Sequence, residues 1–348
     1  MHFVSNSVFC TIGSDPVYIC LPLGHAEYMK HLVLVDGHHL MYRAYWAIPR
    51  TLKTRAGEQT NAVFGVASML LNIMQREQPD SLLFCFDAGE ETFRHQENDT
   101  YKDGRAETPD DFYVQIPRIV ELIETFGIPH VSDSQYEADD FLCTYAIEAE
   151  KQGMRVTIVT GDKDCFQLAN KNIRIAIPHK GYMQAEYLDD KGVEEKFGVR
   201  PDQVASYKGL CGDSSDNLPG VLGIGPKTAV ALLQDYGSLT GIYEHLDDIK
   251  PSWRKKLERD RDQAFFCERM AELVCDIALP LSLQDIELSN LPYGDIATFF
   301  TSMEFMALTK RLQALADSLY GQRIFTGQEQ LAIAGSAGGD SGEQLSLL

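Results

Sequence analysis

From residue 31 onward the chain alternates short apolar runs with longer stretches of helical period. Residues 31–35 (HLVLV), 81–86, 155–159 and 173–177 have the length and composition of strands. Residues 40–46 open a helical pattern, 62–74 hold it strongly, and 112–126 and 138–151 read as amphipathic helices. Strand-length runs separated by helices predict an α/β core with a largely parallel sheet. From about Val193 the strand signals fade, and helical stretches follow one another to about Tyr320. After Gly321 the composition turns to Gly, Ser, Ala and Gln, which reads as a flexible tail. Residues 1–28 hold no clear period and no Lys/Arg-rich start, so they do not read as a signal peptide. Met29 directly precedes the first strand and is expected to be the natural start. The pattern divides the chain into an extension (1–28), an α/β core (29–192), a helical subdomain (193–320) and a tail (321–348).

Acidic residues fall where these elements meet. Asp36 and Asp87 follow the first two strands, and Asp162 with Asp164 follow the strand 155–159 after a Thr-Gly turn. The carboxyl ends of parallel strands lie along one edge, where ligands bind. Glu137, Asp139 and Asp140 open a helix in YEADD, and Asp213 and Asp216 lie in GDSSDN. Taken singly, each has a plain structural account: acids suit a first helical turn, and Asp suits caps and turns. Caps, however, need no shared edge. Two carboxylates about 4 Å apart repel by roughly 4 kcal/mol at an effective dielectric of 20, so a converging set must be protonated or neutralised by cations. Oxygen ligands without His or Cys select Mg²⁺ or Mn²⁺, and so many acids suit two ions, the arrangement that serves phosphodiester hydrolysis. His38 and His39 have no companion at ligand spacing and read as structural.

Composition changes this picture in two respects. The 348 residues carry 31 Lys+Arg against 51 Asp+Glu, a formal net charge of −20, with 44% hydrophobic residues. That excludes a disordered or collagenous chain and, at first sight, argues against a nucleic-acid partner. The eight cysteines are scattered, with no C-x-x-C pair, which fits unpaired thiols in a reducing compartment. The sequence holds no apolar run long enough to span a membrane.

Three further segments carry chemistry. Residues 88–111 form a long polar connection, of a kind that tends to be functional or mobile. Gly220, Gly223 and Gly225, followed by Pro226 and Lys227, lack the preceding strand of a P-loop and suit a helix-hairpin-helix whose backbone amides meet a phosphate at a helix N-terminus. Residues 250–261, with Arg254 and Lys255, are the one dense basic run; they read equally as a solvated helix face or as a patch for duplex phosphates.

The motifs LVLVDGHHLMYRAYWA, FDAGEETFRH, YKDGRAETPDDF, YEADD, TGDKDCFQL and GDSSDNLPGVLGIGPKTA stand in the order of the bacterial 5'-3' exonuclease, or flap endonuclease, family. From about Met29 to Tyr320 the chain resembles the 5' nuclease domain that forms the N-terminal part of DNA polymerase I, here expected as a stand-alone protein. The resemblance implies a PIN-like α/β core, a helical arch over 88–111, and a C-terminal helical subdomain with a helix-hairpin-helix near 214–236. It implies two Mg²⁺ ions, with Mn²⁺ as a substitute: Asp36, Asp87, Glu137 and Asp139 around the first, and Asp162, Asp164 and Asp216 around the second. Asp139 stands between the two, and Asp140 and Asp213 act through water. Lys102 and Arg105 match basic residues at the scissile phosphate, where they join Asp139 and Asp162 as catalytic positions. Arg94 and Tyr101 match phosphate-holding and base-stacking positions, and Arg43 is expected to meet the 5' strand. Gly223, Gly225, Lys227, Arg254 and Lys255 are expected on duplex DNA, with K⁺ held by carbonyls of the hairpin.

The implied activity is Mg²⁺-dependent hydrolysis of DNA at 5' flaps, nicks and single-strand/duplex junctions, RNA-primed DNA included, in replication and repair. A cytoplasmic, nucleoid-associated monomer is expected. At the end of the tail, Gln344, Leu345, Leu347 and Leu348 resemble a sliding-clamp docking peptide. Two other readings stand: a PIN-type ribonuclease, which would need neither arch nor hairpin, and a non-catalytic junction-binding protein, which would not need the complete acid set. The negative charge loses its force against DNA, because binding would rest on a local patch, backbone amides and bound cations.

Overall fold

The computed structural model describes residues 28–89, 92–103, 108–179 and 181–326. Six strands make its main sheet: β1 (His31–Asp36), β2 (Ser81–Cys85), β3 (His130–Val131), β4 (Arg155–Val159), β5 (Ile173–His179) and β6 (Gly181–Leu188), in the order β3-β2-β1-β4-β5-β6. The first five run parallel and β6 returns antiparallel. β1 pairs Val35 with Phe84 on one side and Val159 on the other, so the carboxyl ends of β1, β2 and β4 are level. That register puts Asp36, Asp87 and Asp162 on one edge.

Every residue of β1 is buried, which is why it reads as a continuous apolar run. Val33 and Val35 enter one core while Leu32 and Leu34 enter the other. α1 (Gly37–Ala47), α2 (Asn61–Glu77) and α5 (Ile116–Thr125) supply the first core. α6 (Ala138–Lys151) supplies the second, while two one-turn helices, α3 (Phe93–Glu97) and α4 (Asp110–Tyr113), lie in the polar connection. The helix expected over 112–126 is two, since Pro117 has no amide to continue a helix but is accommodated in a first turn, where α5 restarts.

β6 was not legible in the sequence. Its buried residues are Tyr182, Ala185 and Leu188, a spacing of three that mimics a helix face. β3 is two residues long, too short for any period.

Seven short helices, α7 (Asp190–Phe197), α8 (Val204–Cys211), α9 (Pro226–Tyr236), α10 (Leu239–Glu244), α11 (Pro251–Arg259), α12 (Arg261–Ala271) and α13 (Tyr293–Ser302), follow the sheet. α13, α14 (Met306–Ala316) and α15 (Leu319–Ile324) pack back onto the first core, where Arg311 reaches Ser68 and Asn72 of α2. No helix among the described residues is long and apolar enough to cross a membrane.

One expectation is corrected outright. Cys143 of α6 and Cys275, 132 residues apart and with Cα atoms at 5.0 Å, form a disulfide. The sequence cannot reveal this pairing, because only the packing of the 272–290 segment against α6 brings the two together.

Candidate functional site

Asp36 ends β1 and caps α1. Its carboxylate accepts the His39 amide at 2.9 Å and the Thr160 hydroxyl at 2.8 Å, and that same hydroxyl accepts the Asp162 amide at 3.0 Å. Thr160 therefore ties the ends of β1 and β4 together. Asp87 accepts the Ala138 amide at 2.8 Å, so it caps α6 from across the site. α6 opens with Glu137 as its cap and Asp139 and Asp140 in its first turn, where the helix dipole favours negative charge. Asp162 accepts the Asp164 amide at 2.9 Å and sets the one-turn helix Asp164–Leu168.

The electrostatics agree with convergence. Burial pushes Asp36 up to about 7, against its hydrogen bonds to His39 and Thr160, and the charges of Asp87 and Asp162 add to the rise. Burial also holds Asp139 well above the usual carboxylate range, followed by the charges of Asp162, Asp36, Asp164 and Asp87. The neighbouring Cys165 thiol, 3.5 Å from Asp139, is pushed up for the same reasons.

A second cluster forms around a residue the sequence reading missed. Lys208 of α8 is buried and pairs with Asp164, lies 2.5 Å from Asp213 and 3.9 Å from Asp216. Burial raises Asp164 to about 7 even so, with Lys208 pulling the other way. For Asp213 burial also pushes up, but Lys208 and Ser215 outweigh it and hold the group below its ordinary value. The available signal was a lone Lys in the apolar helix VASYKGLC, since a buried ammonium requires a partner.

The arch residues are placed differently from expectation. All five guanidinium N–H groups of Arg94 are used inside the protein: Nε to Met270 O, Nη1 to Glu137 and Asp140, Nη2 to Asp140 and Glu272 O. With 3% exposure it has neither donors nor access for a phosphate. Tyr101 is likewise buried, with its hydroxyl 3.4 Å from Glu137, so it presents no face for a base. Asp140 is fully buried, its oxygens taken by Arg94 and by the Glu137 and Val274 amides, which removes it from any water-mediated ion set. Lys102 does reach the site, with Nζ 2.7 Å from Glu137 and its amide on Asp216 O. Arg105 lies outside the described residues, as do Gln344, Leu345, Leu347 and Leu348.

The glycine hairpin is present between α8 and α9. Gly220 has φ +62°, and a Cβ there would meet the Gly212 amide nitrogen at 2.2 Å, so the close crossing requires glycine. Gly225 caps α9 with open space beside it, and Lys227 is exposed in the first turn. The carbonyls of Gly220, Leu222 and Gly223 accept from Gln263, Arg259 and Lys256. The basic run therefore staples α11 to the hairpin. Arg254 is also spent internally, on Asp247 and Glu258, whereas Lys255 is exposed. Arg43 donates to His179 O at 3.1 Å and 2.5 Å beside a groove of about 810 Å³ that Tyr42 and Trp46 also line.

As placed, no three His, Cys, Asp or Glu side chains among the described residues converge tightly enough to hold a metal ion. The donor set nonetheless suits one. Asp36 is buried and Asp139 half-buried, the two are mutually repelling oxygen donors, and Asp36, Asp87 and Asp139 have no Lys or Arg ion-pair partner among the described residues. A hard divalent cation is the species that relieves such a set.

Family models match most of the chain: "5'-3' exonuclease, N-terminal resolvase-like domain" over residues 31–198 and "5'-3' exonuclease, C-terminal SAM fold" over 199–293. The chain is 40% identical over 284 residues to DNA polymerase I of Bacillus subtilis (strain 168), covering 81% of this chain and 32% of that protein. It is 38% identical over 307 residues to DNA polymerase I of Streptococcus pneumoniae serotype 4, covering 87% and 35%. The chain thus spans about a third of the length of these relatives. Among solved structures, T5 D15 protein co-crystallised with metal ions superposes with a TM-score of 0.60 at 17% identity, over 83% of this chain and 99% of that one. The catalytic core of Rad2 in complex with DNA substrate gives 0.54 at 14% identity, over 83% and 93%. At such identities these two likenesses speak to the fold alone.

Proposed function

The chain belongs to the 5'-3' exonuclease family, and from that premise we propose that it is a metal-dependent 5'-3' exodeoxyribonuclease and 5'-flap endonuclease, acting at flaps and junctions in DNA replication and repair. The observation that carries this reading is that acids from β1, β2, β4, α6 and the hairpin loop lie near enough for their charges to raise Asp36, Asp139 and Asp164. Asp36, Asp87, Glu137 and Asp139 would hold one Mg²⁺, and Asp162, Asp164 and Asp216 a second. When bound, the two ions would stabilise charge on the scissile phosphate and ease proton loss from water.

The chain's own residues do the rest. Thr160 fixes Asp36 and Asp162 relative to each other. Arg94 and the α6 cap hold Glu137, and Lys102 brings a positive charge beside it, near enough to meet a phosphate entering the site. The α9 N-terminus at Gly223–Gly225, with Lys227 and Lys255 exposed nearby, would hold duplex phosphates without reading sequence. With a net charge of −20, non-specific affinity for DNA would be weak and salt-sensitive, which makes recruitment by a sliding clamp through residues 344–348 useful. Removing those five residues should abolish capture by the clamp.

The test is cleavage of labelled 5'-flap, nicked, gapped and RNA-primed duplexes with Mg²⁺ or a chelator. Mg²⁺-dependent release of 5' fragments from flaps is expected. Binding without cleavage would favour a junction-binding protein, and cleavage of RNA alone a ribonuclease.

A further inference from the structure

The two acidic clusters are not electrostatically equivalent. Of the four acids assigned to the first ion, Asp36, Asp87 and Asp139 meet no Lys or Arg in an ion pair among the described residues, and Glu137 is met by Arg94 and Lys102. Asp164, Asp213 and Asp216, by contrast, surround the ammonium of Lys208, which is 4% exposed and comes from the middle of α8. Three carboxylates and one ammonium leave that cluster with a formal charge of −2 where the carboxylates alone would carry −3. Two of the three, Asp164 and Asp216, are assigned above to the second ion together with Asp162.

The contacts make this more than a matter of summed charge. Lys208 reaches Asp164 through Oδ1, an atom sealed from solvent. A cation approaching that oxygen meets the ammonium already there. Lysine is a compact point charge on a flexible stem, so it can withdraw without moving α8. Asp213, which is more exposed than Asp164, offers it a second carboxylate to stay on.

We propose that Lys208 competes with a divalent cation for the second carboxylate cluster, so that the two ion sites are unequal: the first fills readily, and the second fills weakly because Lys208 must leave Asp164. This rests on the reading of the chain as a metal-dependent nuclease and adds to it a residue that sets ion affinity. Lys208 is a positioning residue in this account, acting through Asp164 and not on the phosphate.

The opposite role is also definable. If Lys208 only draws Asp164 and Asp213 together, removing it would scatter the ligands and weaken ion binding. The sign of one affinity change separates the two.

The experiment is Mn²⁺ binding to the full chain without DNA, followed by calorimetry and by electron paramagnetic resonance. Wild type should show two classes of site. In Lys208→Gln the weaker class should tighten by at least about tenfold, a modest change for removing one unit charge a few ångströms from a divalent ion. The stronger class should stay as it was, and Lys208→Arg, which keeps the charge, should keep the weaker class weak. A weaker class that loosens in Lys208→Gln, or does not change, overturns the proposal while leaving the nuclease reading intact. Absence of any Mn²⁺ binding by wild type would overturn both. Should Lys208→Gln fail to fold, the Lys208 ¹⁵Nζ resonance of the wild-type protein decides: it should shift as Mg²⁺ fills the weaker class, and a resonance unmoved through saturation rejects the competition.

Discussion

Arg94 closes on Asp140 with two parallel hydrogen bonds, Nη1 to Oδ2 at 2.9 Å and Nη2 to Oδ1 at 2.8 Å, and the pair is sealed from solvent. The same guanidinium takes the backbone carbonyls of Met270 and Glu272 and the carboxylate of Glu137. One side chain thus joins the polar connection, the start of α6 and the end of α12. Removing it would leave Asp140 as a buried charge without its partner. Arg94→Ala should therefore destabilise the fold by about 3–5 kcal/mol in urea denaturation. Arg94→Lys should recover only part, because an ammonium cannot reproduce the planar fork. A loss below about 1 kcal/mol would show the pair to be incidental.

Asp162 reaches the site from the end of β4, and the buried Asp216 reaches it from the hairpin. Asp162→Ala and Asp216→Ala should each lower flap cleavage at least about 100-fold, the scale expected for losing an ion ligand. Binding of a 5'-flap duplex, read by fluorescence anisotropy, should be largely intact. Lost binding with residual cleavage at the normal rate would contradict the assignment.

His31, at the opposite end of β1, is buried between the Glu77 carbonyl at 3.0 Å and the Thr157 hydroxyl at 2.8 Å. Burial lowers its pKa to about 4 from the ordinary 6.5, with the charge of Arg155 adding to the fall. The unfolded chain then binds the proton first as pH drops, so this residue's contribution is complete above about 6.5 and is lost towards pH 4. The shift corresponds to about 3 kcal/mol. Denaturation at pH 7, 5.5 and 4.5 should show a smaller acid loss in His31→Gln than in wild type; parallel losses would reject the assignment.

Asp36 has the opposite sign. Its folded pKa of about 7 lies above the ordinary 3.8, so its contribution is present at low pH and is lost as pH rises towards 7. Mg²⁺, which would ligate the ionised form, should stabilise the protein more at pH 7.5 than at pH 5. Melting temperatures with Mg²⁺ and with a chelator at the two pH values check this, and a Mg²⁺ shift independent of pH would count against Asp36 as a ligand.

The disulfide Cys143–Cys275 closes a long loop whose ends are 132 residues apart in sequence. Reduction, or Cys275→Ser, should cost about 2–4 kcal/mol. Equal urea midpoints with and without a thiol reductant would place the bridge outside the native state in solution.

The strands β1, β2, β4 and β5 and the helix α6 were legible because each buries a continuous or regularly spaced set of apolar residues. β6 was hidden by buried positions three apart, and β3 by its brevity. The acids were legible in the same way, since Asp36, Asp87 and Asp162 follow strands whose ends a parallel sheet must align. What failed was reading a charged residue's partner from its motif. Arg94 and Tyr101 sit in a polar segment that looks solvent-facing, yet they are buried against Asp140 and Glu137. Arg254 sits in a basic run, yet it pairs with Asp247 and Glu258.

The sequence by itself determined which elements form and which acids stand at their ends, because hydrophobic period and chain order are local properties. Only the tertiary structure decided where each positive charge goes. Lys208 meets Asp164, Arg94 meets Asp140 and Lys102 meets Glu137, partners 44, 46 and 35 residues away, and such pairings depend on packing between elements that no local pattern encodes.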